Sequence, residues 1–156
     1  TMFVAVTLTQ AEHTATDRQI ISAEPSFNAG FLAVMADTHI EAGCNNLDRA
    51  PPGSDPERLD GGTVFPLNTV AVVALRISDE VECNLYINGA QVRQAEIGKC
   101  SIGTFKGYHL GTRNSANGRW WPGQIHEVII YDRALSTTEV KQVNTYLMAK
   151  YGVIPA

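Results

Sequence analysis

The sequence predicts an all-β fold: two antiparallel sheets packed face to face as a sandwich, with one short α-helix at the C-terminal end. Short β-branched and aromatic runs recur along the chain, separated by clusters of Gly, Pro, Asn, Asp and Ser, which is the spacing of a multi-stranded sandwich. The pair Asn88-Gly89 stands between two of these runs, and it is the favoured pair for a two-residue hairpin turn. Only after Ser136 does the apolar pattern change to a helical period.

Met2 to Thr9 (MFVAVTLT) alternates Phe3, Ala5 and Thr7 against Val4, Val6 and Leu8, which makes it the first strand. Gln19 to Ala23 is a short second strand, Phe31 to Ala36 a third, and Asp37 to Glu41 begins a fourth. From Gly43 to Gly62 the chain is polar, and Pro51, Pro52 and Pro56 forbid a central strand there. A loop of that length in a compact domain tends to be functional or mobile. Thr69 to Ile77 (TVAVVALRI) is a core strand. In the hairpin Glu82 to Val92, pairing outward from Asn88-Gly89 sets Ile87 opposite Ala90, Leu85 opposite Val92 and Cys83 opposite Gln94. Tyr86 and Asn84 then point to the other face.

Gly107 to Thr112 is a further strand, Arg113 to Gly118 a polar turn, and Gln124 to Tyr131 (QIHEVIIY) reads as the central strand of the sandwich. Ser136-Thr137-Thr138-Glu139 forms a capping box that starts the helix at Ser136. Val140, Val143, Leu147 and Tyr151 share one stripe, expected to pack against the sheet edge, and Gly152 is placed to end the helix.

At 156 residues, with 44% hydrophobic and 18% charged residues, the chain is sized for one domain with a single core. A net charge of −4 without a clustered Lys/Arg face argues against a nucleic-acid partner. No run approaches the roughly 18 apolar residues of a membrane span, so no membrane insertion is expected. Cys44, Cys83 and Cys100 permit one bridge at most, and they read either as buried or free thiols or as a Cys83–Cys100 pair that would need a bulge.

A glycosidase needs two carboxylates flanking the sugar bond, and no such array is visible. Asp79, Glu80 and Glu82 are the nearest acidic group, and they read as a solvated turn. His13, His39, His109 and His126 show no metal or triad spacing. The Trp120-Trp121 pair is the most informative feature. Neighbours along a strand point to opposite faces, so one ring is expected in the core and the other outside, where it can stack on a sugar. The alternative is that both rings are packing at the sandwich rim. With Arg113, Asn114 and Asn117 in the preceding turn and His109 on the preceding strand, the candidate ligand-binding set is Trp120, Trp121, Arg113, Asn114, Asn117 and His109.

The run GQIHEVIIYDRALSTTE and the later YLMAKYG resemble the C-terminal end of concanavalin A-like lectin/glucanase domains of the laminin-G type (type 3), in which the hairpin LYINGA also recurs; the resemblance covers most of the chain and is strongest from Thr69 onward. The resemblance implies a jelly-roll sandwich. It implies a non-catalytic carbohydrate-binding or adhesion module of a larger extracellular, cell-surface or phage-tail protein, with a glycan or glycoprotein and the parent's other chains or domains as partners. A structural or assembly domain is the alternative, and a polysaccharide hydrolase or lyase a third. Gln124-Ile125-His126 is similar to the Q-I-H strand of jelly-roll alginate lyases, without their Arg-rich strand or Tyr-bearing C-terminal motif. Such domains usually carry earlier strands, so N-terminal strands of the parent are expected to precede Thr1. Related domains often hold calcium in rim loops, which makes Asn45, Asp48, Asp55 and Asp60 the candidate calcium ligands.

Overall fold

The computed structural model describes residues 1–9, 18–24, 31–34, 39–46, 57–78, 82–96, 100–101, 107–112 and 119–155. Numbered in chain order, one sheet runs β11 (Gly123–Ile130), β1 (Met2–Leu8), β6 (Val70–Ile77), β7 (Glu82–Ile87), β8 (Ala90–Glu96), all neighbours antiparallel. The second runs β10 (Gly107–Leu110), β2 (Arg18–Glu24), β3 (Phe31–Val34), β4 (His39–Asn46), β5 (Glu57–Val64), with β9 (Cys100–Ser101) paired to the end of β4. The expected jelly-roll sandwich of antiparallel sheets with one C-terminal helix is therefore the observed architecture.

Strict alternation on β1 and β6 produces two cores. Val4, Val6, Leu8, Ala71, Val73 and Leu75 meet Ile21, Leu32, Ile40 and Leu59 of the second sheet. Phe3, Ala5, Val72 and Ala74 point the opposite way, where Val140, Leu147 and Met148 of α1 (Thr137–Tyr151) cover them. The helix thus lies on the outer face of the first sheet, over its two innermost strands, and not against the sheet edge. An edge position would leave the second apolar face of β1 and β6 in water. The buried stripe is Val140, Asn144, Leu147 and Met148, with Val143 and Tyr151 half-buried at its margin.

Three further expectations need correction. The strand QIHEVIIY is an edge strand, not the centre of the sheet; β6 holds the middle because both its faces are apolar. In the hairpin, Ile87 faces Ala90 as expected, but a bulge between Leu85 and Tyr86 sets Leu85 opposite Arg93 and Cys83 opposite Ala95. One extra residue on β8 suffices for that shift. The long polar stretch is also shorter than expected, because Glu57–Val64 is β5, paired along β4 despite Gly61-Gly62. Gly61 is needed where it stands: an added Cβ would meet Ile40 Cγ2 at 2.6 Å.

The free thiol of Cys83 is fully buried, and burial, reinforced by Glu82, pushes its pKa to about 12. It is an inert core residue. The side chains of Cys44 and Cys100 lie outside the described set.

Candidate functional site

The crossover Phe65 to Thr69, the Asn88-Gly89 turn and the segment Arg119 to Pro122 gather at one end of the sandwich. This last segment is a strap between the sheets. Gln19 N–H of β2 donates to Arg119 O (3.2 Å), Trp121 N–H to Gly111 O (2.8 Å), and Thr9 N–H and Oγ1 to Pro122 O (3.0 and 2.8 Å). The chain can lie this close because position 123 is glycine: an added Cβ would fall on the Thr7 carbonyl oxygen.

Held in this way, the two indoles part. Trp121 is 8% exposed; its Nε1–H donates to Thr7 O (3.1 Å), and its ring meets Phe65 edge-on at 5.7 Å. Trp120 is 62% exposed. Of the two indoles, Trp120 has its ring open to solvent, while Trp121 anchors the strap that carries it.

The strap sets Trp120 beside the start of β2 and the end of β10. A bulge between Gln19 and Ile21 turns both Ile20 and Ile21 into the core, so Gln19 and Ser22, on either side of them, take the opposite, outer face. His109, paired with Ser22, belongs to that outer face and is half-buried. Ser22 is fully buried and its Oγ donates to Thr112 O (3.1 Å). Hence two members of the expected set, Trp120 and His109, come to one end of one sheet. Arg113, Asn114 and Asn117 lie outside the described residues, although the residues flanking that segment, Thr112 and Arg119, are both fixed at this site.

Two contributors were not apparent from sequence. Gln19 is 1% exposed and its side-chain oxygen has no hydrogen-bond partner among the described residues. Arg119 is half-buried on the strap itself. Gln19 carries no motif, and on a strand that also holds Arg18, Ser22 and Glu24 a polar residue there gave no local signal.

Of the expected calcium set, only Asp60 has a described side chain. Asp60 is exposed and pairs with Glu41, where its Oδ1 accepts from Gly62 N–H (2.7 Å) and lies 3.6 Å from His39 Nδ1. Asn45 pairs with Ser101 at the far end of β4, roughly 13 Å along the strand from Glu41. The Asn45 side chain, Asp48 and Asp55 lie outside the described residues, and among the described residues no group of three or more His, Cys, Asp or Glu is placed to hold a metal.

A second polar cluster joins α1 to β11. Lys150 Nζ and Tyr151 Oη both donate to Glu127 Oε2 (2.9 and 3.0 Å), and His126 Nε2 meets Thr7 Oγ1 at 2.8 Å. The hydrogen bond from Lys150 lowers the pKa of Glu127, and in return raises that of the lysine. Its members satisfy one another, which is the arrangement of a clamp. His126 occupies the bulge opposite Ala5 and Val6 that interrupts the free edge of β11.

Among solved structures, the CBM40 module of the Ruminococcus gnavus IT-sialidase, bound to alpha2,3 sialyllactose, aligns at 17% identity and TM-score 0.69, over 92% of this chain and 80% of that one. The SAP-like pentraxin of Limulus polyphemus aligns at 16% identity and TM-score 0.65, over 92% and 68%. The binding domain of botulinum neurotoxin DC, in complex with SialylT, aligns at 9% identity and TM-score 0.70, over 94% and 35%. These likenesses establish the fold. No curated protein matches the sequence. The laminin-G type 3 family, described as Concanavalin A-like lectin/glucanases superfamily, matches residues 5–141. With its jelly-roll sheets and a family match spanning most of its length, the chain belongs to the concanavalin A-like lectin/glucanase superfamily, in the laminin-G type 3 family.

Proposed function

We propose that this chain is a non-catalytic carbohydrate-binding module of a larger secreted or surface protein, adhesion or phage-tail proteins included, with its glycan seated on Trp120. The observation that carries this reading is a 62% exposed indole on a strap fixed at Arg119, Trp121 and Pro122. An aromatic ring carried into solvent on a fixed backbone presents a flat apolar face at little entropic cost, with Arg119 preceding it on the strap and His109 on β10, two residues before the Gly111 carbonyl that accepts from Trp121 N–H. The similar CBM40 module of the Ruminococcus gnavus IT-sialidase binds alpha2,3 sialyllactose, which supports a glycan as the class to try first. No described helix is long and apolar enough to cross a membrane.

A glycan array probed with the purified chain is the test. Binding is expected, and Trp120→Ala is expected to abolish it while leaving the urea midpoint nearly unchanged, because an exposed ring contributes little to stability. A blank array at high protein concentration sinks the reading.

A protein-docking role is the second reading, and one observation favours it. Val64 (61%), Leu67 (38%), Leu110 (51%), Trp120 (62%) and Ile154 (82%) are exposed, and all five sit at the same end of the sandwich. Dimerisation or capture of a sister domain of the parent, with a blank array, would select it.

A further inference from the structure

Beyond the C-terminal end of α1 a cleft of about 290 Å³ opens between the helix end, the start of β6 and the tip of the β7–β8 hairpin. Val70, Val153 and Ile154 form the apolar part of its wall, and Thr69, Asn88 and Tyr151 the polar part. Backbone geometry fixes these walls. Asn88 stands at the left-handed φ of its turn, its N–H donates to Val72 O (2.8 Å), and its side-chain Oδ1 accepts from Val72 N–H (2.9 Å). Gly89 lets the hairpin tip approach the helix, since an added Cβ would lie 3.2 Å from Met148 Sδ. Gly152, at φ 66°, ends the helix, and Val153 N–H returns to Met148 O (2.8 Å). Tyr151 is held by its hydrogen bond to Glu127 (3.0 Å).

Two polar groups of the cleft are left over from this arrangement. Asn88 is anchored through its oxygen, so its side-chain amide N–H groups have no hydrogen-bond partner among the described residues. The hydroxyl of exposed Thr69 has none either. The lining also restricts what could occupy the space. None of its side chains carries a charge at neutral pH, so nothing there offsets the desolvation of a charged ligand. The volume lies at the small end of the range for small-molecule sites, enough for one ring-sized unit. Apolar side chains beside an amide donor and a hydroxyl match a pyranose, which presents C–H groups on its faces and hydroxyls around its rim.

We propose that this cleft is a second saccharide site, taking one neutral monosaccharide residue whose hydroxyl oxygen accepts from Asn88 Nδ2 and whose neighbouring hydroxyl bonds Thr69 Oγ1. No residue of the Arg119 to Pro122 strap lines it, so the site is separate from Trp120 and does not depend on a glycan being seated there.

The test is an amide NMR titration of the isotope-labelled chain with the methyl glycosides of glucose, galactose, mannose and N-acetylglucosamine. At least one should shift the Gly89, Gly152 and Val153 amides saturably, and methyl glucuronide should bind more weakly than that sugar. Asn88→Asp keeps the oxygen that accepts from Val72 N–H and suits the same turn, but lacks the amide donor. Thr69→Val keeps the shape and lacks the hydroxyl. Each should weaken binding at least about tenfold, because a site that hydrogen-bonds a ligand loses affinity when one partner is removed. The Val72 amide reports whether the hairpin of Asn88→Asp is intact, and Thr69→Val leaves the turn untouched. In Trp120→Ala the cleft shifts should persist. No saturable shift at these amides with any of the four sugars overturns the proposal, as does unchanged affinity in both variants or loss of the shifts in Trp120→Ala. Equal binding of methyl glucuronide overturns the restriction to a neutral sugar. A response of the Trp120 indole N–H alone leaves the glycan reading standing and removes the cleft; shifts at the cleft alone support this site and count against a glycan on Trp120.

Discussion

Trp121 and Trp120 are adjacent and chemically identical, so their environments alone must separate what each contributes. Trp121→Ala removes a ring packed edge-on against Phe65 and a donor bonded to Thr7 O, and it empties a site under the strap. A loss of about 3–5 kcal/mol is expected for truncating a large buried aromatic, measured by urea unfolding at equilibrium. A loss below about 1 kcal/mol would mean that the strap holds without its anchor. Glycan binding should fall in this variant as well, by loosening the strap and not by removing a contact. At this scale the sequence was legible where neighbouring residues impose a rule: strand alternation separates the two indoles, and Asn88 adopts the left-handed φ of 47° that the hairpin turn requires. It was not legible at Gln19 or Asn144, because nothing local distinguishes a buried polar side chain from a solvated one.

The helix start is the element whose sequence and structure agree most closely. Ser136 Oγ accepts from Glu139 N–H (3.3 Å), Ser136 N–H donates to Glu139 Oε2 (2.8 Å), and Arg133 grips the same carboxylate with two bonds, 3.0 and 2.6 Å. Arg133 and the Ser136 donors hold the Glu139 pKa at about 2, below its ordinary 4.5. A depressed carboxylate stabilises the fold fully above its unfolded value, and that contribution is lost as pH falls from about 4.5 towards 2. The lowered Glu127 adds to the same acid limb through Lys150 at the other end of the helix. Glu139→Gln is therefore expected to be less stable than the parent at neutral pH and nearly equal to it near pH 2, as thermal midpoints across that range would show. A constant gap at all pH values would remove the charge from the explanation. Ser136→Ala should cost about 1 kcal/mol irrespective of pH above that window. Elements joined by long-range pairing were harder to read. The capping box is a local signature, whereas β5 forms on Gly-containing sequence only because β4 lies beside it, and the edge position of β11 depends on which strands outbid it for the centre.

On the scale of the whole molecule, both sheets, the helix and the strap depend on one another. β1 and β6 contribute to the core between the sheets with one face and to the core beneath α1 with the other, so neither core can come apart without disturbing the other. The strap carbonyls of Arg119 and Pro122 accept hydrogen bonds from Gln19 N–H and Thr9 N–H, at strand ends in different sheets. We propose that the chain unfolds as one cooperative unit. Tryptophan fluorescence follows the strap and the inner core through Trp121, while helical far-UV circular dichroism follows α1 on the far side of the first sheet. The two urea transitions are expected to coincide in midpoint and in slope, as two-state behaviour requires. Helix loss at lower urea than the Trp121 signal would show that the core beneath α1 is a separable layer.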